Sequence, residues 1–274
     1  MRLLAIADLH LSNPVNRSAL ADMPAHPDDW LILVGDVGDT PEQLEFALET
    51  LLPRFAQLLW VPGNHDLWTT PDDPCRLRGV ERYEHLVSIC RARGVSTPED
   101  PFPVFTDGAG ADCTVALLFA LYDYTFRPPG VSRAAALPWA LADGVVCSDE
   151  RLLFPDPHPT REAWCADRVR YSESRLAAAC QSNRPLILVN HFPLRQEHAV
   201  LPAVPRFCLW CGTTQTEDRH RRFNALAVVY GHLHIRRTST CDGVLFHEVS
   251  LGYPRQWNQA LGVGHYVRQI LPRQ

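Results

Sequence analysis

The chain has 274 residues, a formal net charge of −5, and 46% apolar against 21% charged residues, which excludes disorder, collagen-like repeats and coiled coil. All 26 basic residues are arginine; the mild acidity argues against a nucleic-acid coat protein but not against an anionic substrate held through a metal. Nine cysteines, an odd number without a repeating framework, point to a reducing, cytoplasmic setting. The N-terminal apolar stretch Leu3–Ala7 is too short for a signal peptide, and the longest apolar run, Val115–Tyr122, is far below the ~20 residues that cross a bilayer.

In chain order, buried strands are expected at Leu3–Ala7, Trp30–Val34, Leu58–Val61, Val115–Tyr122, Leu186–Val189 and Ala227–Tyr230. Pro41 opens a helix with Leu44, Ala47, Leu48, Leu51 and Leu52 on one face and Thr40 as its N-cap. Gly79–Arg93 is a second helix, with Tyr83, Leu86, Val87 and Cys90 sharing a face. Asp242-Gly243 joins strands Ile235–Cys241 and Val244–Val249 as a hairpin, so the expected α/β sheet is mixed. Residues 127–159, rich in Pro, Gly and Asp, and 195–216, which carry Pro202, Pro205 and Trp210-Cys211-Gly212-Thr213-Thr214, read as lid or substrate loops inserted in a single domain, 1–274.

The residues just after the strands carry the chemistry. Five of the apolar runs end in Asp8-Leu9-His10, Gly35-Asp36-Val37-Gly38-Asp39, Gly63-Asn64-His65-Asp66, Asn190-His191 and Gly231-His232-Leu233-His234. In α/β folds the carboxyl ends of strands are where sites are built. Asp8, His10, Asp36, Asn64, His191, His232 and His234 offer carboxylate, amide oxygen and imidazole but no thiolate, a set suited to Mn, Fe, Zn, Co or Ni. Seven ligands are too many for one ion with an open position and suffice for two if a carboxylate bridges. His65 is the natural proton carrier for a leaving alkoxide, with Asp66 beside it to fix the tautomer. Cys208-Leu209-Trp210-Cys211 is a lone CxxC, without the second pair that a structural zinc needs.

The series D-x-H, G-D-x-x-D, G-N-H-D, H and G-H-x-H, spread over residues 8–234, resembles the full signature of the calcineurin-like metallophosphoesterases. The resemblance implies a two-layer mixed β-sheet sandwich flanked by helices. It also implies hydrolysis of a phosphate ester by a hydroxide bridging two divalent ions, with Mn, Fe or Zn as candidates. In its terms Asp8, His10 and His234 bind one metal, Asn64, His191 and His232 the other, Asp36 bridges, and His65 and Asp66 are catalytic. The tyrosine ligand of purple acid phosphatases is replaced by Asp39, and Gly38-Asp39-Thr40-Pro41 lacks the Asp-Arg-Gly of protein phosphatases. Asp39 is either a support for a ligand or a turn carboxylate ahead of Pro41.

Further segments, among them Trp60–Thr70, Tyr122–Tyr124, Pro159–Cys165, Leu209–Thr214, Tyr230–Thr238 and Glu248–Trp257, are similar to a bacterial subgroup, the phosphopantetheinyl hydrolases. That likeness implies cleavage of the phosphodiester that joins 4′-phosphopantetheine to an acyl or peptidyl carrier protein. A phosphomonoesterase, a cyclic-nucleotide phosphodiesterase and a non-catalytic metal-binding scaffold of the same fold are the alternatives. Arg195, Arg236 and Trp210 are the candidate substrate contacts, with only one of Arg236 and Arg237 expected to face the site because neighbours on a strand alternate. Trp210 reads equally as a core aromatic. Arg219–Arg222 is expected to be a solvated helix face.

Overall fold

Strands with both faces buried read as continuous apolar runs, and such strands build two sheets in a computed structural model that describes residues 1–108, 110 and 112–273. The elements are β1 (Leu3–Ile6), α1 (Pro14–Ala21), β2 (His26–Val34), α2 (Pro41–Leu51), β3 (Phe55–Val61), α3 (Gly79–Ala92), β4 (Val104–Thr106) and β5 (Asp112–Leu117). They continue with α4 (Arg133–Leu141), α5 (Asp149–Leu152), α6 (Arg161–Cys180), β6 (Leu186–Val189), α7 (Arg219–Arg222), β7 (Ala225–Tyr230), β8 (Arg237–Cys241), β9 (Val244–Glu248) and β10 (Arg268–Leu271). One sheet has the order β10-β1-β2-β3 and the other β4-β5-β6-β7-β9-β8. β1, β2 and β3 are parallel in the first, and β5, β6, β7 and β9 in the second; β10, β4 and β8 join antiparallel at the edges.

Alternate residues separate the layers. Leu3, Ala5, Ile32, Val34, Leu59 and Val61 of one sheet meet Val115, Leu117, Ile187, Val189, Ala227 and Val229 of the other in a core between the sheets. The opposite face of the first sheet, Leu4, Ile6, Leu31, Leu33, Leu58 and Trp60, packs with the apolar stripes of α2 and α3. Leu186, Leu188, Val228, Tyr230 and Phe246 on the outer face of the second sheet pack with Leu176 of α6. The architecture is the flanked two-sheet sandwich.

Three features differ from the sequence reading. The run Val115–Tyr122 leaves the sheet after Leu117; its remainder is buried as irregular chain clasped by Asn190, which accepts from Ala120 N (2.9 Å) and donates to its carbonyl (3.2 Å). The segment 127–159 holds α4, capped by Ser132 Oγ, and α5 rather than loop alone. α6, with 20 residues, escapes the periodicity because its buried stripe, Trp164, Cys165, Arg168, Val169, Ser172 and Leu176, includes an arginine and a serine. Arg168 is accommodated there by stacking over Tyr83, Phe119 and Tyr171 and donating to Glu99 (2.6 Å).

Thr40 does cap α2, by backbone conformation and without a side-chain hydrogen bond. At the β8–β9 turn Asp242 and Gly243 both have positive φ, as the tight hairpin requires. No described helix is long and apolar enough to cross a membrane.

Leu59 is fully buried between the sheets. Leu59→Ala is expected to cost about 2–5 kcal/mol, read as a lower denaturant midpoint with an unchanged m-value.

Candidate metal centre

Because β1, β2, β3, β6 and β7 run parallel within their sheets and the sheets pack face to face, their carboxyl ends converge on one edge. The loops leaving them carry Asp8 and His10, Asp36, Asn64, His191, and His232 with His234. The turns are tight. Of the ten described non-glycine residues with positive φ, five are Asp8, His10, Asp36, His232 and His234. The loops also touch backbone to backbone: a Cβ on Gly35 would lie 2.6 Å from Gly63 N, and one on Gly63 would overlap the Asp36 carboxylate.

Asp8, His10 and His234 converge at one end of the cluster. His234 Nδ1 donates to Gln256 Oε1 (2.8 Å), which leaves Nε2 facing Asp8 Oδ1 (3.1 Å) and His10 Nε2 (3.0 Å). Two imidazole nitrogens and a carboxylate oxygen aimed at one another need a proton or a cation between them. Burial would raise the Asp8 carboxyl, yet the neighbouring His234 and His191 hold it well below the usual carboxylate range. Burial and the His65 charge push His10 down to about 3, against the pull of Asp36 and Asp8.

Asp36, His191 and His232 converge at the other end. His191 Nδ1 donates to the Val34 carbonyl (2.8 Å), so its Nε2 is free and lies 3.4 Å from Asp36 Oδ2. Asn64 is fixed in a similar manner: its amide donates to Asp149 (3.0 Å), leaving its Oδ1 oxygen unpartnered. His191 Nε2, His232 Nε2 and Asn64 Oδ1 are all buried without a hydrogen-bond partner. Buried polar atoms are rarely left so, and three in one cluster fit a cation. Burial would lower His191, but the Asp36 and Asp8 charges raise it to about 10; His232, buried and beside His191, falls to about 3. Asp36 also groups with His10 and His65, so it reaches both ends. Six of the seven residues expected as ligands, Asp8, His10, Asp36, His191, His232 and His234, therefore lie together, and Asn64 lines the same cavity.

His65 is positioned differently from the expectation. Its Nδ1 donates to Asp39 Oδ1 (2.8 Å), its ring packs on Trp68 with centroids 3.6 Å apart, and Nε2 lies 4.0 Å from Asp36 Oδ2. Burial would lower its pKa, but Asp36, Asp39 and Asp149 raise it, favouring the imidazolium. Asp66, expected as the partner of His65, faces backbone instead. It accepts from the N–H groups of Asp36 (2.9 Å), Val37 (3.0 Å), Gly38 (3.3 Å) and Gly63 (2.8 Å). Adjacent residues in this turn point apart, so a carboxylate from the loop after β2, Asp39, orients the histidine.

The three expected substrate contacts are also corrected. Arg195 is held by Glu197 (2.8 Å) and the Glu217 carbonyl (3.0 Å) near its own loop. Arg236 donates to the carbonyls of Ser250 (3.1 Å) and Leu251 (2.7 Å), and Arg237 to that of His198 (2.7 Å), and neither lines the cavity over the cluster. Trp210 is a buried core aromatic bonded to Glu150 (2.7 Å). Cys208 and Cys211 are unpaired, with Cys211 Sγ on the Phe207 carbonyl (3.3 Å). In α7, Arg219 and His220 are buried, and only Arg221 and Arg222 form a solvated face.

The cavity over the cluster, about 380 Å³, is lined instead by Tyr253, Arg255 and Gln256 together with Val146, Leu201 and Phe207. Tyr253 stacks on His10 (centroids 4.3 Å, 19° between planes). Arg255 is exposed and, among the described residues, forms no ion pair. Both inserted segments, 127–159 and 195–216, thus reach the cavity. The missed residues Tyr253 and Arg255 sit in the stretch Glu248–Trp257, whose likeness to the bacterial subgroup was the signal that could have found them.

Comparison with known proteins places the chain among characterised relatives. The profile of the calcineurin-like phosphoesterase family matches residues 1–236. The chain is 47% identical over 272 residues to the [acyl-carrier-protein] phosphodiesterase PptH of Mycobacterium tuberculosis, covering 98% of this chain and 83% of the relative. The crystal structure of the phosphopantetheinyl hydrolase PptH from the same organism superposes with a TM-score of 0.93 at 47% identity, covering 99% of this chain and 96% of that one.

Chelator-treated protein should gain thermal stability when Mn²⁺ or Zn²⁺ is added, by about 2.7 kcal/mol at roughly 100 times the Kd. Asp36→Ala should remove most of that gain, as measured by melting with and without metal.

Proposed function

The chain belongs to the calcineurin-like phosphoesterase family, and on that premise we propose that it is a two-metal phosphodiesterase that removes 4′-phosphopantetheine from the serine of an acyl or peptidyl carrier protein. The observation that carries the substrate is likeness across 98% of the chain to a relative named for that activity. The unpartnered nitrogen and oxygen atoms of the cluster support the metal pair. Asp8, His10 and His234 would hold one ion and Asn64, His191 and His232 the other, with Asp36, which groups with both sets, between them. Divalent ions there supply an ionised water as nucleophile and positive charge for the phosphoryl oxygens.

The chain's own groups do the rest. His65, whose pKa Asp36 and Asp39 raise, lines the cavity and gives its proton to the departing alkoxide. A diester needs that acid more than a monoester with an acidic leaving group does. Arg255, free of any carboxylate, pairs with a non-bridging oxygen. Asp66 keeps Asp36 and Gly63 in register, and with them Asp36 and Asn64, which would hold the ions. The whole of residues 1–274 acts as one domain, with 127–159 and 195–216 as its substrate loops. Nine unpaired cysteines support a reducing, cytoplasmic setting.

Intact-mass analysis of a holo carrier protein incubated with the enzyme and Mn²⁺ tests the reading: loss of the arm is expected. An unchanged mass while a phosphomonoester is cleaved would refute the diester assignment. His65→Ala should lower kcat by about 100–10,000-fold with metal content unchanged. Asp39→Asn removes a group that raises the His65 pKa; since the acid must be protonated, the alkaline limb of kcat should move to lower pH.

A further inference from the structure

The cavity over the cluster is lined by two unlike groups of side chains. Ser148, His234, Tyr253, Arg255 and Gln256 are polar; Val146, Leu201, Val204 and Phe207 form an apolar set. This apolar wall is open to water: Val146 is 69% exposed and Val204 41%. It is assembled from both inserted segments. Arg206 ties them together, pairing with Asp143 (2.5 Å) and lying 4.8 Å from the Trp139 ring centroid, so the wall is held in place before anything binds. Exposed branched side chains beside a catalytic cluster gain free energy when an apolar part of the substrate covers them.

We propose that this wall is the subsite for the branched aliphatic carbon next to the scissile phosphate, which in 4′-phosphopantetheine is the gem-dimethyl carbon one methylene beyond the ester oxygen. The assignment rests on the proposed carrier-protein activity and adds its specificity element. Against this apolar set a flat nucleobase fits poorly, because it needs a free aromatic face or polar partners at its edge. Here the Phe207 ring is packed against His232 and Trp210, with centroids 5.8 and 5.4 Å away, and Trp68 lies on His65. Val146, Leu201 and Val204 offer no hydrogen-bonding side chain. The arm therefore leaves the metals over the apolar wall, and the carrier protein lies toward Tyr253 and Arg255.

Calorimetry on the metal-loaded protein tests this with three probes: inorganic phosphate, 4′-phosphopantetheine and adenosine 5′-monophosphate. Phosphopantetheine is expected to bind at least about 10-fold tighter than phosphate, from burial of two methyl groups, and the nucleotide no tighter than phosphate. Val146→Ser with Leu201→Ser should erase that preference and leave the phosphate Kd unchanged. Val146→Ser alone, at an exposed position, should lessen it without altering the melting temperature. Equal affinity for phosphate and phosphopantetheine in the wild type, a variant that weakens both alike, or a preference for the nucleotide would overturn the subsite. Carrier cleavage without an arm preference overturns the subsite alone. An arm preference without carrier cleavage supports the subsite and counts against the carrier reading.

Discussion

The site depends on one buried carboxylate that is not among its proposed ligands. Asp66 collects four backbone N–H groups, three from the loop after β2 and one from the loop after β3, and so locks two strand ends to each other. Arg82 closes the clamp from behind, donating to the carbonyls of Asp66 (3.1 Å) and Asp39 (3.0 Å) and pairing with Asp73. From that frame the backbone of His65 donates to Asp36 (2.8 Å), and the His65 ring is brought onto Asp39. The clamp has its own electrostatic strain: burial and the nearby Asp36 push the Asp66 carboxyl up to about 7, against the pull of the Gly63 and Gly38 amides. Charge that neutralises Asp36 relieves it, which links the metal centre to the integrity of the loops.

The same logic governs the imidazoles. His191 and His234 each spend one nitrogen on a carbonyl-type oxygen, of Val34 and of Gln256, and the other is thereby fixed as the free donor atom. Asn64 is oriented by Asp149, which also holds the Trp68 indole (2.7 Å), the ring on which His65 lies. Asp149 comes from α5, inside the inserted segment 127–159. That insertion therefore orients Asn64 and the ring beneath His65, and is not only a cover over the cavity.

Much of this was legible in the residues themselves. Six apolar runs marked six strands, and the polar residues after five of them are the cluster. Their legibility has a physical cause: strands buried on both faces admit few polar residues, so the first carboxylate or imidazole after each run stands out. Helix α6 was hidden because Arg168 and Ser172 interrupt its buried stripe. The cationic contacts failed for a different reason. Arg195, Arg236 and Arg237 are close to ligands in sequence, but their guanidinium groups find carbonyls and a carboxylate in nearby loops first.

The sequence by itself determined the layered α/β class, the order of the strands that carry the site, and the seven donor groups, because each arises from local pattern and residue type. Tertiary structure alone decided which group serves which. That Asp39 and not Asp66 orients His65, that Arg255 and not Arg195 faces the cavity, and that two distant insertions share an apolar wall are facts about direction in space. Positive φ at Asp8, His10, Asp36, His232 and His234 turns the chain sharply in the same way where the cluster is built. Neighbours in such turns diverge by large angles, so adjacency along the chain carries little information about contact.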